Sequence, residues 1–179
     1  MDRQPTLETE RLVIRPLVEE DREALYRIAS DPAVWEQHPI HDRWRREVFD
    51  AFLDDGIASG GSLAVVRKSD KAVIGHTRYD KFDPEEGGVV EIGWTYLAPI
   101  CWGKGINTEM KRVMLEHAFS SVALVEFRVG DTNYRSHNAL EAIGAVRTDR
   151  YELERYQGKR VVHLVYEITR DSFAEGPLA

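Results

Sequence analysis

The chain has 179 residues, of which 42% are hydrophobic and 31% charged, a balance that fits one folded domain over residues 1–179 and excludes a disordered chain. The formal net charge of -7 disfavours binding to nucleic acid or to an anionic membrane, and no apolar run is long enough to span a bilayer. The single cysteine excludes an internal disulfide and a multi-cysteine metal site. No basic-then-apolar leader opens the sequence, so we expect a cytoplasmic protein without a metal.

The first half of the chain predicts a short strand, two helices and three further strands. The strand covers residues 12–14 and is closed by Pro16. Apolar residues at helical spacing predict a helix over 19–30 and a second from 42 to about 58. Three strand-like runs follow, separated by turn residues as in antiparallel hairpins, over 62–67, 72–82 and 89–97.

The second half changes period. One apolar face of a long helix is formed by Ile106, Met110, Val113, Met114 and Ala118. A strand over 123–129, a helix over 133–143 stopped by Gly144, and a hairpin of strands over 150–156 and 160–168 complete the chain. This order predicts an α/β domain with a mixed sheet, and it differs from a doubly wound βαβ repeat.

The turn between the third of those strands and the long helix carries a candidate anion site. The first N–H groups of a helix lack partners within it and lie at the positive end of its dipole, which favours a phosphate there. Gly103 and Gly105 let the backbone approach an anion closely, and Lys104 adds a positive charge. Gly-Lys-Gly is equally typical of a tight turn without a ligand, and it matches neither a Walker A loop nor a full dinucleotide fingerprint.

Three groups of motifs, in order along almost the whole chain, resemble the GNAT superfamily of N-acetyltransferases and, more closely, its RimJ/RimL-like branch. The opening segment 7–16 resembles the first strand of that branch. Glu91-Ile92-Gly93-Trp94 and the turn over 99–105 resemble the central strand and phosphate turn. Asn133-Tyr134-Arg135-Ser136 and the Gly144 stop resemble the Asn-x-x-Ser helix and its end.

The resemblance implies an α/β (α+β) fold with a mixed, mostly antiparallel central sheet and flanking helices, splayed at its two central strands. It implies acetyl-CoA as the cosubstrate, with the pantetheine arm in the gap, pairing with backbone groups near Leu97 and Ala98. Asn133 would hydrogen-bond the arm or its reactive end, and a free backbone N–H of the central strand would stabilise the oxyanion. The pyrophosphate would lie on the amides of the turn, whose residues are Trp102, Gly103, Lys104, Gly105, Ile106 and Asn107.

Two residues are candidates for proton transfer during acetylation of an amine by acetyl-CoA. Glu91 is the candidate base, and strand alternation predicts that its side chain shares a face with Gly93 and Thr95. The family's usual tyrosine acid is replaced by Leu140, so Ser136 is the candidate donor to the departing thiolate. Each has a plain alternative, a salt-bridged strand residue for Glu91 and a helix-surface serine for Ser136.

The predicted activity is acetyl transfer to a primary amine, either a protein N-terminus or a small molecule, by direct attack in a ternary complex. A non-catalytic acyl-CoA sensor of the same fold is the alternative, supported by the missing tyrosine and by Ile100, where the family often has Gln or Arg. A nucleotide-binding module is a remoter one. We expect segment 33–55 and the final hairpin to set the acceptor, Trp35 and Trp44 to be candidates for lining its site, and a homodimer to be a possible assembly.

Overall fold

A computed structural model describes all residues, 1–179, and contains one sheet of eight strands. The strands are β1 Leu7–Glu8, β2 Leu12–Pro16, β3 Ser62–Arg67, β4 Val73–Asp83, β5 Val89–Leu97, β6 Leu124–Gly130, β7 Val146–Tyr156 and β8 Lys159–Thr169. Their order across the sheet is β1-β2-β3-β4-β5-β6-β8-β7, and every neighbouring pair is antiparallel except β5 and β6. The predicted mixed, mostly antiparallel sheet is confirmed.

Five helices flank this sheet. They are α1 Arg22–Ala29, α2 Arg46–Ser59, α3 Ile106–Phe119, α4 Tyr134–Ala142 and α5 Arg170–Ala174. The long helix begins directly after the Gly103–Gly105 turn, as predicted. Strand β1 and helix α5 are additions to the predicted elements, because two-residue and five-residue elements carry too little periodicity to detect.

Helix α2 begins four residues later than predicted. Residues 42–45 instead form a turn in which the Arg45 amide donates to the Asp42 carbonyl, 3.0 Å away. The Asp42 carboxylate accepts from the Tyr156 hydroxyl at 2.6 Å and from the Gln157 side chain at 2.8 Å. Asp42 is therefore held by the β7–β8 hairpin rather than capping a helix.

The hydrophobic core has two parts, one on each face of the sheet. The larger part packs the sheet against α3 and α4 and includes Ile92, Met110, Leu115, Phe127 and Tyr166. The smaller part lies under α1 and α2 and includes Leu25, Trp35, Phe49, Leu53 and Tyr96. Full burial of each large aliphatic or aromatic side chain contributes about 1.5–3 kcal/mol, so both helical layers are fixed to the sheet and position the loops between them.

Candidate active site

The two central strands separate midway along their length. β5 and β6 pair only from Val89 to Glu91, opposite Leu124 to Glu126. Beyond this point β5 continues to pair with β4 as far as Leu97, and β6 with β8 as far as Gly130. The edge of β5 that faces β6 therefore has no strand partner, and a cavity of about 430 Å³ fills the gap. The predicted splay is confirmed.

The residues that line the cavity come from both faces of the sheet. On the face covered by α3 and α4, it is lined by the start of α3 and by Asn133, Ser136 and Leu140 of α4. On the face covered by α1 and α2, it is lined by residues of the α1–α2 segment, including Trp35 and Arg43. A molecule in this cavity therefore passes through the sheet between β5 and β6.

A β-bulge shapes the wall of the cavity on β5. Gly93 lies opposite Arg78 and Tyr96 lies opposite His76, so β5 has one residue more than β4 between these pairs. The extra residue is accommodated at Trp94, whose φ of 51° is in the left-handed region. A non-glycine residue in that region is strained, and such strain is most common at functional sites.

The bulge overturns one predicted orientation. Thr95 does not share a face with Glu91, because the inserted residue turns its side chain toward α3. There Thr95 Oγ1 lies 2.9 Å from Thr77 Oγ1 and accepts from Lys111 Nζ at 2.8 Å. Trp94 turns the other way, and its ring lies 4.4 Å beneath the Arg78 guanidinium.

The turn before α3 has the geometry of an anion site. Gly103 and Gly105 have φ values of 70° and 74°, and a β-carbon at Gly103 would meet nothing within 4 Å. No side chain caps the helix N-terminus, so its first amides are free for a ligand. Arg11 fixes the turn from outside, donating to the Lys104 carbonyl at 3.0 Å and pairing with Glu109.

Two backbone positions expected to pair with a ligand already have partners. The Leu97 carbonyl accepts from the Trp102 indole N–H at 3.0 Å. The Ala98 N–H donates to the Ile74 carbonyl at 2.8 Å, and the Ala98 carbonyl accepts from the Cys101 amide at 2.8 Å. The free edge of β5 therefore lies nearer the bulge than those two residues.

Helix α4 brings three predicted positions to the cavity wall. Asn133 caps the helix, and its Oδ1 accepts from the Ser136 amide at 3.3 Å, which leaves its side-chain NH₂ without a protein partner. The Ser136 hydroxyl makes no hydrogen bond with the protein and lines the cavity. Leu140 is buried there and supplies no proton.

Glu91 is buried on the α1–α2 side, behind the cavity wall formed by Gly93 and Arg128. Its Oε2 accepts from Arg128 Nη1 at 2.8 Å and lies 3.1 Å from Lys81 Nζ. Its Oε1 lies beside Gly93. A β-carbon added to Gly93 would lie only 3.4 Å from this oxygen. Burial raises the pKa of Glu91 above its usual range, against the opposing effect of Arg128 and Lys81.

Two cationic residues at the cavity, Lys111 and Arg43, were not predicted from the sequence. Lys111 is 4% exposed and has no carboxylate partner, and burial lowers its pKa to about 7. One indication of this burial was present in the sequence, since Lys111 directly follows Met110, a residue of the apolar face of α3. Arg43 lies in an irregular segment, where no periodicity marks it as buried.

The other expectations for the acceptor side have mixed outcomes. Trp35 is buried and lines the cavity, whereas Trp44 is exposed and lies outside it. His163 of the final hairpin also lines the cavity.

No group of three or more His, Cys, Asp or Glu side chains is placed to hold a metal ion. None of the helices has the length and apolarity needed to cross a membrane.

The family described as Acetyltransferase (GNAT) domain matches residues 11–146. The Uncharacterized N-acetyltransferase p20 of Bacillus licheniformis is 29% identical over 145 residues, 77% of this chain and 80% of that protein. A GNAT-family acetyltransferase from Bacillus anthracis has a TM-score of 0.78 at 21% identity, covering 93% of this chain and 99% of that one. Mycobacterium smegmatis RimJ in complex with CoA-disulfide has a TM-score of 0.69 at 20% identity, covering 93% and 86%. These two likenesses show the fold, and the RimJ/RimL-like branch stays a prediction.

Proposed function

The chain belongs to the acetyltransferase (GNAT) domain family, and on that premise we propose that it transfers an acetyl group from acetyl-CoA to a primary amine. The amine attacks the thioester directly while both substrates are bound. One observation carries this proposal: a single cavity crosses the sheet from an uncapped helix N-terminus to the neighbourhood of a buried carboxylate, Glu91. Acyl donor and acceptor can therefore enter from opposite faces and meet between β5 and β6.

The residues of the turn fit a pyrophosphate. The amides from Trp102 to Asn107 would hold its oxygens, with Lys104 as an added charge. The unpaired edge of β5 would take the pantetheine amides as an added strand does, and the free NH₂ of Asn133 would donate to the same arm. RimJ of Mycobacterium smegmatis, which has this fold, is described in complex with CoA-disulfide, and this supports a CoA compound in the cavity.

The transfer forms a C–N bond and breaks a C–S bond. The amine nitrogen attacks the thioester carbonyl carbon, and collapse of the tetrahedral oxyanion expels the CoA thiolate. The nitrogen must lose one proton and the thiolate must gain one. Backbone N–H groups beside the bulge at Trp94 would stabilise the oxyanion.

Glu91 would accept the proton of the amine, directly or through a water molecule. Its Oε1 lies beside Gly93, a residue of the cavity wall, and its raised pKa makes it a better base than an exposed glutamate. Ser136 would donate a proton to the thiolate on the opposite side, since its hydroxyl has no protein partner and faces the cavity. The serine would recover its proton from solvent.

A non-catalytic acyl-CoA sensor is the second candidate. The observation that favours it is Leu140 on the cavity wall, where many family members have a tyrosine acid. The two candidates differ in a simple assay, the release of free thiol from acetyl-CoA in the presence of a panel of primary amines. Amine-dependent thiol release supports the transferase, whereas tight acetyl-CoA binding without release by any amine supports the sensor.

A further inference from the structure

Arg43 is a buried cation without a carboxylate partner. It is 9% exposed and forms no salt bridge, although it belongs to a protein with a net charge of -7. Its guanidinium lies 4.4 Å from the ring centre of Phe52 and 5.4 Å from that of Trp35, which hold it in place against the cavity. A buried charge that lacks an acid costs stability, so such a residue is normally retained for a ligand.

The one polar neighbour of Arg43 does not satisfy it. Arg43 Nη1 lies 3.3 Å from His38 Nε2, but His38 Nδ1 already accepts from the Ile40 amide at 3.0 Å. Burial lowers the pKa of His38, so the ring is neutral and carries its single hydrogen on Nε2. Two N–H donors therefore face one another, and neither has an acceptor in the protein.

No surrounding carboxylate or hydroxyl accepts a hydrogen bond from Arg43 either. The Asp42 carboxylate is engaged by Tyr156 and Gln157, and the Asp55 carboxylate pairs with Arg78 at 2.7 Å. The Tyr96 hydroxyl, whose ring packs 5.0 Å from Trp35, is buried without any hydrogen-bond partner. Donors predominate at this end of the cavity.

We propose that Arg43 and His38 bind a carboxylate of the acceptor, so that the substrate is an amine that also carries a carboxylate group. This inference rests on the proposed function and narrows its substrate class. Arg43 lies on the α1–α2 side of the sheet with Glu91, and the phosphate turn lies on the other side. A substrate held by its carboxylate at Arg43 therefore presents its amine on the side of the sheet that carries the base.

A carboxylate fits this position better than a phosphate. The planar fork of a guanidinium matches the two oxygens of a carboxylate, and the adjacent His38 is a neutral donor. The cavity wall has two other arginines. Arg128 is neutralised by Glu91, Glu126 and Glu152, and Arg135 stacks 4.0 Å from the ring centre of Trp102 and donates to the Ala33 carbonyl at 3.3 Å. Arg43 is therefore the buried arginine of the cavity wall that has neither a carboxylate nor another acceptor as its partner, and it can bind one negative charge.

The test compares amines that differ only in the anionic group. Free α-, β- and γ-amino acids are assayed by thiol release beside their carboxamides and their aminophosphonate analogues. Short peptides with an N-terminal Asp or Glu are assayed beside peptides with Asn or Gln, which separates a free amino acid from a protein N-terminus as the source of the carboxylate. We expect the carboxylates to exceed the carboxamides in kcat/KM by about 10- to 100-fold, as for a charge-assisted hydrogen bond.

Variants assign this preference to Arg43. Arg43→Met keeps the apolar contacts with Phe52 and Trp35, and should reduce the carboxylates to the carboxamide level, mainly through KM. Arg43→Lys should restore part of the preference. Arg45→Met is the matched control, because Arg45 is exposed, lies outside the cavity and pairs only with Glu47, and it should behave as wild type. The melting temperature of Arg43→Met should equal or exceed that of wild type, whereas a purely structural arginine would lower it.

The outcomes separate this inference from the proposed function. Equal turnover of carboxylates and carboxamides, or a preference for aminophosphonates, would overturn the inference and leave the transferase intact. If no amine releases thiol, the transferase is wrong, and calorimetry of the amino acids with the CoA-saturated protein decides the carboxylate site alone. Arg43-dependent binding would then support the site, and absence of binding would reject it.

Discussion

Glu91 is the residue whose replacement tests the proton-transfer step of the proposed reaction. Replacing it by Gln should preserve acetyl-CoA affinity while lowering kcat by roughly 10²–10⁴-fold, as for loss of a general base. Since burial raises the pKa of Glu91, wild-type activity should fall as the pH drops through that pKa, and the variant should lack this dependence. The deficit should shrink at high pH, where the amine loses its proton unaided.

Glu152→Gln is the control for this comparison. Glu152 also pairs with Arg128, at 2.6 Å, but its side chain is 38% exposed and does not approach Gly93, whereas that of Glu91 is 5% exposed and lies beside Gly93. It should leave the pH dependence of kcat in place. Parallel pH profiles and equal kcat values for wild type and Glu91→Gln would reject the base assignment, and a loss confined to KM would mean that Glu91 only orients the amine.

Lys111 gives a prediction about stability. Its pKa of about 7 in the folded protein is well below its unfolded value, so between these values the unfolded state binds the extra proton. The free energy of unfolding should therefore gain up to about 1.4 kcal/mol per pH unit from this residue as the pH rises from about 7 to about 9.

Urea unfolding of wild type and Lys111→Met at several pH values measures this contribution. The variant should be the more stable protein near pH 7, and its advantage should shrink as the pH rises. Lys104→Met, at an exposed position of the turn, should show no such trend. A stability difference that does not change with pH would show that the Lys111 amine is charged in the folded protein.

At the scale of single residues, the sequence predicted a residue of the candidate site only where that residue lies within a recognisable motif. Glu91, Asn133 and Ser136 could be proposed because they lie in motifs that resemble a family. Arg43 could not, since its burial depends on Phe52 and Trp35 from other segments. The orientation of Thr95 was predicted wrongly because one inserted residue reverses the alternation of a strand.

Among the elements, the turn before α3 gives the sharpest test. Gly103→Glu should abolish acetyl-CoA binding, because a side chain and a negative charge would occupy the place of the pyrophosphate. Gly158→Glu is a matched control: Gly158 has a φ of 77° and, like Gly103, open space around its β-carbon position, but it lies in the β7–β8 turn. Both variants should lose roughly 1–2 kcal/mol of stability from the left-handed backbone.

Calorimetry with acetyl-CoA measures this difference. Unchanged acetyl-CoA affinity in a folded Gly103→Glu variant would show that the turn is not part of the binding site. Weakened binding in Gly158→Glu would mean that backbone strain rather than location was responsible.

Most elements were predictable from periodicity and from helix- and strand-breaking residues, including the start of α3 after Gly105. The start of α2 was not, because a tertiary contact of Asp42 with the β7–β8 hairpin decides it.

Across the whole molecule, the arrangement of strands could be predicted only through the resemblance. Periodicity supplies the order of helices and strands, but it says nothing about where two strands separate. In the structure β5 and β6 separate beyond Glu91 because each pairs with a different strand there, β5 with β4 and β6 with β8. That divergence creates the cavity, so the site is a property of the sheet rather than of any one motif.

Cys101 is the remaining nucleophile at the cavity, and we expect it to take no part in the transfer. Its side chain is buried in the large core cluster. Cys101→Ala should retain most of the wild-type kcat, and a fall in kcat to the background rate would mean that an acyl-cysteine lies on the pathway.

Transfer of a deuterated acetyl group is the decisive measurement for the proposed acetyltransferase activity. The protein is incubated with acetyl-CoA labelled in the acetyl group and with each amine of the panel, amino acids included, and the products are identified by mass spectrometry. We predict labelled N-acetyl product in equal amount to the free CoA formed, with no label on Cys101. If the protein binds acetyl-CoA but the label stays on CoA with every amine of the panel, the transferase proposal is wrong and the protein is a CoA-binding protein without transferase activity.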